Sequence, residues 1–471
     1  MKVTFIYPTL SQTGFNTSAS DMLLRCIHHG LCYLSSCAKA AGFQTDLIEL
    51  RLLKGWDQFR ERIETEPIEV AAVTMMSPDH TDAIKCIDII KDVRPKTIVV
   101  VGGIHPTIMP EKLALNEKID YVVKGEGEVT FVKLLKKIQN GEPSEKVLQG
   151  ETFSIEDLPF IDRYLFDCLE APWDYFLPLP FFTIMAGRGC SYNCKFCAPA
   201  SKMVHGKGAR RRSVKSVMEE LALLRDKYGM RSFMFHDDCF TENAPWVSDF
   251  CRVYKEEKFT QNLVCQTRAD IICKNPSMMR GLAQIGLKMA LIGFESGNDR
   301  VLKFIGKGVT VKQNIEAARI CRANGIRIFA NHMFGLPTET NEEAWDTVKM
   351  IKKIRPYRAS AAFFTPHPGS YLYDYTKENN LSLIDDHDDL QELPEVDKPK
   401  IKGVDYNFMR KSALETKKRP IEVCIQMEID RLFLNRRNRR FLRFFREIAR
   451  VHPEMHKMDI LSLMKTKYPH A

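Results

Sequence analysis

Three closely spaced cysteines, Cys190, Cys194 and Cys197, are the residues of this chain best suited to bind a metal. Thiolates at a C-x3-C-x2-C spacing can bind three corners of a [4Fe–4S] cluster. No fourth cysteine stands beside them, so one iron would stay open to a substrate or cofactor. A structural zinc site instead needs four ligands, commonly in two pairs. The spacing therefore favours an iron–sulfur cluster, with zinc or a chance grouping as the alternatives.

Other polar or reactive residues follow predicted strands, where a (β/α) barrel gathers its catalytic groups. For several of them, a structural role is the alternative to a catalytic or binding role. Asp237 and Asp238 can cap the next helix, residues 335–337 can form a turn, and Arg268 can pair with a surface carboxylate. The residues at these strand ends are Asp237, Asp238, Glu295, Ser296 and the run 333–337.

Strands and helices alternate six times through residues 179–372, without a reversal. A full (β/α) barrel has eight such units, so six predict a partial barrel with an open side that suits a large substrate. The first predicted strand, 181–185, leads directly into the cysteine segment. The other predicted strands are 232–236, 263–267, 289–294, 327–333 and 359–364, and the predicted helices are 214–228, 245–256, 277–285, 312–324 and 342–354.

A separate alternating series, with five predicted strands, occupies residues 1–142. It predicts a doubly wound parallel sheet, which binds ligands beyond the carboxyl ends of its strands. Residues 143–178 contain several prolines and are predicted to be a surface linker, and residues 373–471 to be a mostly helical, basic region. The predicted fold class is α/β: a doubly wound N-terminal sheet, a partial (β/α)6 barrel and a helical C-terminal region.

The cysteine motif, with Phe196 before its last cysteine, resembles the signature of the radical S-adenosylmethionine (radical SAM) superfamily. Segments 235–241, 292–297, 333–337 and 365–370 resemble further motifs of that family in the same order, although Thr338 replaces a usual glycine. The resemblance implies that the open iron binds S-adenosylmethionine. One electron from the cluster would then release a 5′-deoxyadenosyl radical, which abstracts hydrogen from the substrate.

The same resemblance implies an electron donor, such as flavodoxin or ferredoxin. It also implies a set of side chains around S-adenosylmethionine, with Phe196 shielding the cluster. The residues that match the family's cofactor motifs are Phe196, Asp237, Asp238, Glu295, Ser296 and Met333.

Segments 101–107 and 124–128 resemble the cobalamin-binding domain of one large radical SAM group, which extends the resemblance over residues 1–372. The D-x-H-x-x-G motif that provides a cobalt ligand in other cobalamin proteins is absent. Cobalamin is therefore expected to bind without a protein histidine, and His105 is expected to be hydrogen-bonded structure. The strand-end residues expected to line the corrin are Pro8, Thr9, Met75, Met76, Ser77, Gly102, Gly103 and Gly125.

These expectations lead to a cobalamin-dependent methyltransferase that acts on an unactivated carbon. The methyl of S-adenosylmethionine is electrophilic and cannot attack an inert C–H bond, whereas a substrate radical can take a methyl from cobalamin. Radical cyclisation or oxidation without methyl transfer is the first alternative. An iron–sulfur electron carrier or sensor is an alternative of another class, and the cofactor motifs speak against it.

The net charge of +9 comes from the C-terminal region, because residues 401–471 contain 17 Lys and Arg against 8 Asp and Glu. Such a local charge argues against a nucleic-acid-binding protein. The chain has no apolar run of about 18 residues and no secretion signal at its N-terminus, so a cytoplasmic location is expected.

Within residues 431–451, an apolar stripe at helical spacing is formed by Leu434, Phe441, Phe445 and Ile448. Such stripes usually pack in a core, which favours packing on the barrel. The alternative is peripheral contact with an anionic membrane through the arginines of this helix, which would bring the barrel near a lipid-like rather than another small-molecule substrate.

Overall fold

A computed structural model describes residues 1–9, 14–15, 27–166, 170, 177–197, 200–384, 390, 398–452, 455–456, 459 and 461–462. The N-terminal part is a parallel sheet with helices on both faces. Its elements are β1 (Lys2–Tyr7), α1 (His29–Ala40), β2 (Gln44–Glu49), α2 (Trp56–Thr65), β3 (Val70–Thr74), α3 (His80–Val93), β4 (Ile98–Gly102), α4 (Ile104–Ile108), α5 (Pro110–Ala114), β5 (Tyr121–Lys124), α6 (Glu128–Asn140) and β6 (Val147–Gln149).

The strand order is β2-β1-β3-β4-β5-β6, and every pair is parallel. Chain order reverses beside β1, which is where doubly wound sheets bind ligands. The central strands are buried because helices cover both faces of the sheet; β3, for example, is buried throughout. The predicted number of five strands is wrong, since β6 lies within the predicted linker and pairs with β5. Three residues are too few to show an alternating pattern, so the sequence did not reveal β6.

The second part has the predicted six-stranded partial barrel. Its elements are β7 (Phe181–Ile184), β8 (Gly187–Arg188), α7 (Ala200–His205), β9 (Arg210–Arg211), α8 (Val214–Tyr228), β10 (Ser232–Phe235), α9 (Ala244–Glu256), β11 (Asn262–Thr267), α10 (Ala269–Lys274), α11 (Pro276–Gln284), β12 (Leu287–Glu295), α12 (Asp299–Phe304), α13 (Val311–Ala323), β13 (Arg327–Phe334), α14 (Asn341–Ile354) and β14 (Arg358–Phe363).

Six parallel strands follow one another in the order β7-β10-β11-β12-β13-β14. In the described part of the chain, β7 and β14 are the two edges and do not pair, so the barrel is open as predicted. Side chains such as Val217 and Leu221 of α8 pack against the outer face of the strands. Local signals fix the helix ends: Ser213 caps α8, and capping boxes at Thr310 and Thr340 start α13 and α14.

The described C-terminal part is helical, with α15 (Tyr371–Glu378), α16 (Tyr406–Lys417) and α17 (Ile421–Val451). Leu434 of α17 packs on the cluster that closes the amino-terminal end of the barrel, and Ile448 packs on the barrel core. These two members of the predicted stripe therefore contact the barrel, whereas the side chains of Phe441 and Phe445 lie outside the described set. No helix in the described ranges is both long and apolar enough to cross a membrane.

Candidate functional site

The three cysteines lie on the loop that follows β7 and β8, at the carboxyl end of the barrel strands. Backbone hydrogen bonds hold this loop: Lys195 N donates to Ile305 O at 2.8 Å, and Leu372 N donates to Lys195 O at 3.0 Å. Cys194 is buried, Cys190 is half-buried and Cys197 is exposed. The loop thus presents sulfur atoms from the barrel interior out to its surface.

A guanidinium group supports the buried thiol. Arg268, at the end of β11, points Nη1 at Cys194 Sγ over 3.5 Å, pairs with Asp270 at 3.0 Å and stacks on the Tyr192 ring at 3.5 Å. A charged donor beside the sulfur compensates the negative charge of a thiolate that is bound to iron. The alternative that Arg268 pairs with a surface carboxylate is wrong, because both Arg268 and Asp270 are buried.

Within the described part of the chain, no three His, Cys, Asp or Glu side chains converge as ligands of one metal ion. A zinc site needs such convergence. A cubane cluster does not, because each thiolate binds a different iron. Three cysteines on one loop are a donor set that can hold three irons of such a cluster.

The fold also brings a fourth cysteine to this site. Cys239 is buried, and burial together with the neighbouring Cys190 raises the pKa of its thiol to about 12. Cys239 lies on the loop after β10, far from the motif in sequence, so the spacing of the cysteines gave no sign of it.

Glu295 ends β12 and forms a buried ion pair with Lys307, at 2.7 Å. Its backbone has a φ of 61°, which is uncommon outside glycine. A Cβ on Gly293 would stand 2.3 Å from Glu295 Oε1 and 2.9 Å from Lys307 Nζ, so the glycine makes room for the pair. Lys307 Nζ also lies 6.0 Å from the centre of the Phe196 ring. This ion pair thus joins the end of β12 to the cysteine loop.

Phe196 and Met333 pack together in one apolar cluster with Leu336 and Phe364, beside the cysteines. Ser296 instead faces α14, where its hydroxyl lies 3.3 Å from the hydroxyl of Thr347. Of the residues predicted around S-adenosylmethionine, the structure therefore gathers Phe196, Glu295 and Met333 and turns Ser296 away.

Asp237 is buried and connects neighbouring strands of the barrel. Its carboxylate accepts the Ala186 N–H at 2.8 Å and pairs with Arg211 at 3.3 Å, tying β10 to β7 and β9. Burial raises the pKa of Asp237 to about 6, although Arg211 opposes the shift. Asp238 is exposed next to it. Neither caps the next helix, which Asn243 caps instead.

A cavity of about 260 Å³ lies between the N-terminal sheet and helices α1 and α6, at the ends of β3, β4 and β5. Its walls are mainly apolar, for example Leu31 and Phe131, and Met185 and Arg188 of the barrel line it as well. Such a cavity fits the apolar part of a bulky ligand. Of the residues predicted to line a corrin, Met76, Gly102, Gly103 and Gly125 line this cavity.

Gly103 has a φ of 113°, and a Cβ there would stand 2.9 Å from Met75 O. This position therefore requires glycine. The other predicted corrin residues lie outside the cavity: Met75 is buried, Ser77 Oγ is 3.1 Å from His105 Nδ1, and Thr9 donates to Asp79 at 3.5 Å. Pro8 is buried at the end of β1.

Buried ion pairs connect the cavity to the cysteine loop. Arg188, two residues before Cys190, binds Glu126 at 3.0 Å and Glu128 at 2.6 Å. Glu126 also accepts hydrogen bonds from Arg210 and His205. Burial alone would raise the pKa of Glu126, but these donors lower it to about 2. These partners could not be predicted from the sequence, because the residues are far apart in the chain.

Two family models match the chain. The radical SAM superfamily matches residues 184–351, and the B12 binding domain matches residues 23–135. The first match contains the cysteine loop and the second contains most of the cavity.

Relatives are found among both methyltransferases and cyclases. An uncharacterised methyltransferase of Pyrococcus horikoshii is 32% identical over 331 residues, 67% of this chain and 71% of the relative. Anaerobic magnesium-protoporphyrin IX monomethyl ester cyclase of Rubrivivax gelatinosus is 26% identical over 79% of this chain and 69% of its own length. A solved structure that resembles this chain is the radical S-adenosylmethionine methyltransferase TsrM from Kitasatospora setae, with cobalamin and a [4Fe–4S] cluster bound. It aligns over 84% of this chain and 80% of TsrM, with a TM-score of 0.62 and 16% identity. That likeness establishes a shared fold.

Proposed function

Because the chain belongs to the radical SAM superfamily and carries a B12-binding domain, we propose that it is a cobalamin-dependent methyltransferase that acts on an unactivated carbon. The observation that carries the proposal is the direct connection between the two candidate cofactor sites. Arg188 lines the cavity of the N-terminal sheet and stands two residues from Cys190. A ligand in the cavity and a cluster on the loop would therefore be close neighbours.

When bound, the cluster supplies the electron that cleaves S-adenosylmethionine to a radical, and cobalamin supplies a methyl group that a carbon radical can take. In this proposal Cys190, Cys194 and Cys197 hold the cluster, and Arg268 neutralises charge at Cys194. The Glu295–Lys307 pair presents fixed charges beside it, which suits the amino and carboxylate groups of S-adenosylmethionine.

The remaining residues shape the site. Phe196 and Met333 form an apolar wall that keeps water from the reacting atoms, which protects a radical from side reactions. Asp238 is exposed near the same strand ends and can contact a polar group of the ligand. Gly102, Gly103 and Gly125 let a flat ligand approach the sheet closely.

A radical cyclisation is the second candidate, because the cyclase of Rubrivivax gelatinosus matches 79% of this chain. Both candidates use the same cluster and the same open barrel. They differ in whether a methyl group reaches the product.

The substrate is proposed to be a small molecule bound at the open side of the barrel, and the reductant to be a small electron-transfer protein such as flavodoxin or ferredoxin. The exposed position of Cys197 supports an electron entry point at the surface of the loop. Membership of this family and the ordinary composition of the chain support a cytoplasmic location.

Deuterium labelling separates the two candidates. Protein reconstituted with iron, sulfide and hydroxocobalamin would be given S-adenosylmethionine with a trideuterated methyl group and a strong reductant. Methyl transfer predicts S-adenosylhomocysteine and a label on the corrinoid, together with 5′-deoxyadenosine. 5′-Deoxyadenosine without S-adenosylhomocysteine, and with an unlabelled corrinoid, would reject methyl transfer in favour of cyclisation or oxidation.

A further inference from the structure

A second cavity of about 260 Å³ lies at the opposite end of the barrel from the cysteines. It is formed where α14 ends, β14 begins and α16 turns into α17. Four of its nine lining residues, Lys352, Arg355, Lys418 and Arg419, are cations, and no lining residue is acidic. We call this cavity the basic pocket.

The positive charge of the basic pocket is only partly neutralised. Glu415 pairs with both Lys352 and Lys418, and Glu422 pairs with Arg355 at 2.9 Å. Two carboxylates thus pair with three of the four cations, and none of the described ion pairs includes Arg419. Within the described chain, the buried Nε of Arg419 has no hydrogen-bond partner. A buried donor without a partner is costly, so the pocket favours an anion with several acceptor oxygens.

The start of α17 lies at the basic pocket. Pro420 lines the pocket and precedes the first turn of this 31-residue helix, which has no side-chain cap. The positive end of the helix dipole therefore adds to the field of the cations.

An apolar stripe on α17 begins at the basic pocket and runs along the surface. Its residues recur at helical spacing, and each is well exposed: Ile421 (76%), Ile425 (54%), Ile429 (42%), Leu432 (59%) and Phe433 (76%). We call this set the exposed stripe. It differs from the stripe predicted from the sequence, whose described members pack on the barrel.

The opposite side of α17 is already occupied. Asp430 pairs with Arg327 at 2.7 Å and accepts a hydrogen bond from Tyr357, while Asn438 Oδ1 accepts the Leu179 N–H at 3.1 Å. At about 100° per residue, Asp430 lies across the helix from Ile421, and Asn438 lies across it from Ile429. The exposed stripe therefore faces away from the barrel to which α17 is attached.

We propose that the basic pocket and the exposed stripe together bind the surface of an anionic phospholipid bilayer. A phosphate headgroup meets the cations and the start of α17, and the stripe lies in the boundary between headgroups and acyl chains. A bilayer presents phosphate and apolar surface side by side, as this face requires. The excess of 17 basic over 8 acidic residues in 401–471 is complementary to such a surface. The active end of the barrel would then face away from the membrane.

Sedimentation with vesicles tests the proposal on the full-length protein loaded with cluster and corrinoid. Wild type should bind vesicles of equal parts phosphatidylcholine and phosphatidylglycerol, and not phosphatidylcholine alone. The pocket variant Lys418→Gln with Arg419→Gln should lose about tenfold in binding. The stripe variant Ile425→Ser with Phe433→Ser should also lose about tenfold, because apolar area no longer leaves water.

A matched control changes similar residues on the N-terminal part, Lys112→Gln with Leu115→Ser, where Leu115 is 83% exposed. This control should bind as wild type does. Unchanged cluster and corrinoid absorbance would show that each variant has folded.

Three results would overturn the proposal: no wild-type binding to anionic vesicles at low salt, equal binding by the stripe variant, or equal binding by the pocket variant. A separate experiment uses inorganic phosphate in place of vesicles. A thermal shift with phosphate that the pocket variant lacks, without vesicle binding, would make the pocket a site for a free anion. Concentration-dependent dimerisation abolished by the stripe variant, without vesicle binding, would assign the stripe to a second copy of the chain.

Discussion

At the scale of single residues, Arg188 joins the two halves of the molecule, because both of its carboxylate partners belong to the N-terminal part. Glu126 keeps Arg210 and His205 when Arg188 is lost, whereas Arg188 is the one ion-pair partner that the described structure gives to Glu128. Arg188→Leu should therefore lower the free energy of unfolding by about 3–5 kcal/mol, the usual result of leaving one partner of a buried pair alone. Urea unfolding measures this change in the free energy of unfolding.

The matched control for that prediction is the double variant Arg188→Leu with Glu128→Leu. It removes both charges and should recover much of the loss. A loss below about 1 kcal/mol in the single variant would show that the pair is an ordinary exposed salt bridge.

Arg268 should set the reduction potential of the cluster. Reduction adds negative charge, which a cation beside Cys194 favours. Arg268→Gln should lower the midpoint potential by about 60 mV, equivalent to a tenfold change for one electron. Arg268→Lys keeps the charge, so its midpoint potential should lie between those of Arg268→Gln and wild type. Lys274→Gln changes an exposed cation on α10, the helix that follows Arg268, and should leave the midpoint potential unchanged. An EPR-monitored redox titration gives all values, and equal potentials in Arg268→Gln and wild type would contradict this role.

At the scale of elements, the turn after β4 depends on Gly103. Gly103→Ala should destabilise the protein by about 1–3 kcal/mol, the cost of a strained backbone, and by more if Met75 cannot move. Gly141→Ala is the control, because Gly141 also has a positive φ of 68° but would place its Cβ in open space. The Gly103 variant should also retain less corrinoid after desalting. Equal stability and corrinoid retention in the two variants would show that the close contact with Met75 has no effect.

The turn after β13 contains a buried carboxyl group. Glu339 accepts the N–H groups of Gly335 and Leu336, at 2.7 and 3.2 Å, yet burial raises its pKa to about 8. The folded state thus holds a proton that the unfolded state releases. Between about pH 5 and pH 8 this group lowers the free energy of unfolding by about 1.4 kcal/mol per pH unit.

Glu339→Gln removes that slope, so its stability relative to wild type should rise by about 2–3 kcal/mol from pH 6 to pH 8. Glu343→Gln is the control, because its pairing with Arg300 lowers the pKa of Glu343. Unfolding curves of wild type and both variants at the two pH values measure this change in stability. Parallel pH profiles for wild type and Glu339→Gln would refute the raised pKa.

Long elements could be predicted from the sequence because each carries its own pattern. Strands β10 and β11 are apolar runs, and α8 has its cap and its periodic face within 15 residues. Short elements, such as β6 and the pair β8–β9, hold two or three residues and are defined by their partners. The three cysteines could be proposed as a site because they are close together in the chain. The partners Arg268, Lys307 and Glu126 were not, since only tertiary packing brings them to the loop.

At the scale of the whole molecule, the carboxyl ends of both sheets meet around the cysteine loop. The sequence predicted two such sheets separately, from two alternating series. Their joint site could not be predicted, because it depends on ion pairs between residues more than 60 positions apart, such as Arg188 and Glu126. The proposed function requires this arrangement, because it places the proposed radical-forming loop beside the proposed corrinoid cavity.

The central claim is radical cleavage of S-adenosylmethionine at the three cysteines, and the most direct measurement is the formation of 5′-deoxyadenosine. Anaerobically reconstituted wild type, given reductant and S-adenosylmethionine, should form it. The triple variant Cys190→Ala, Cys194→Ala, Cys197→Ala should form none and should lack the iron–sulfur absorbance, while Cys424→Ala, which removes an exposed cysteine on α17, should behave as wild type. A triple variant that keeps four irons and still forms 5′-deoxyadenosine, or a wild type with a full cluster that forms none, would contradict the account.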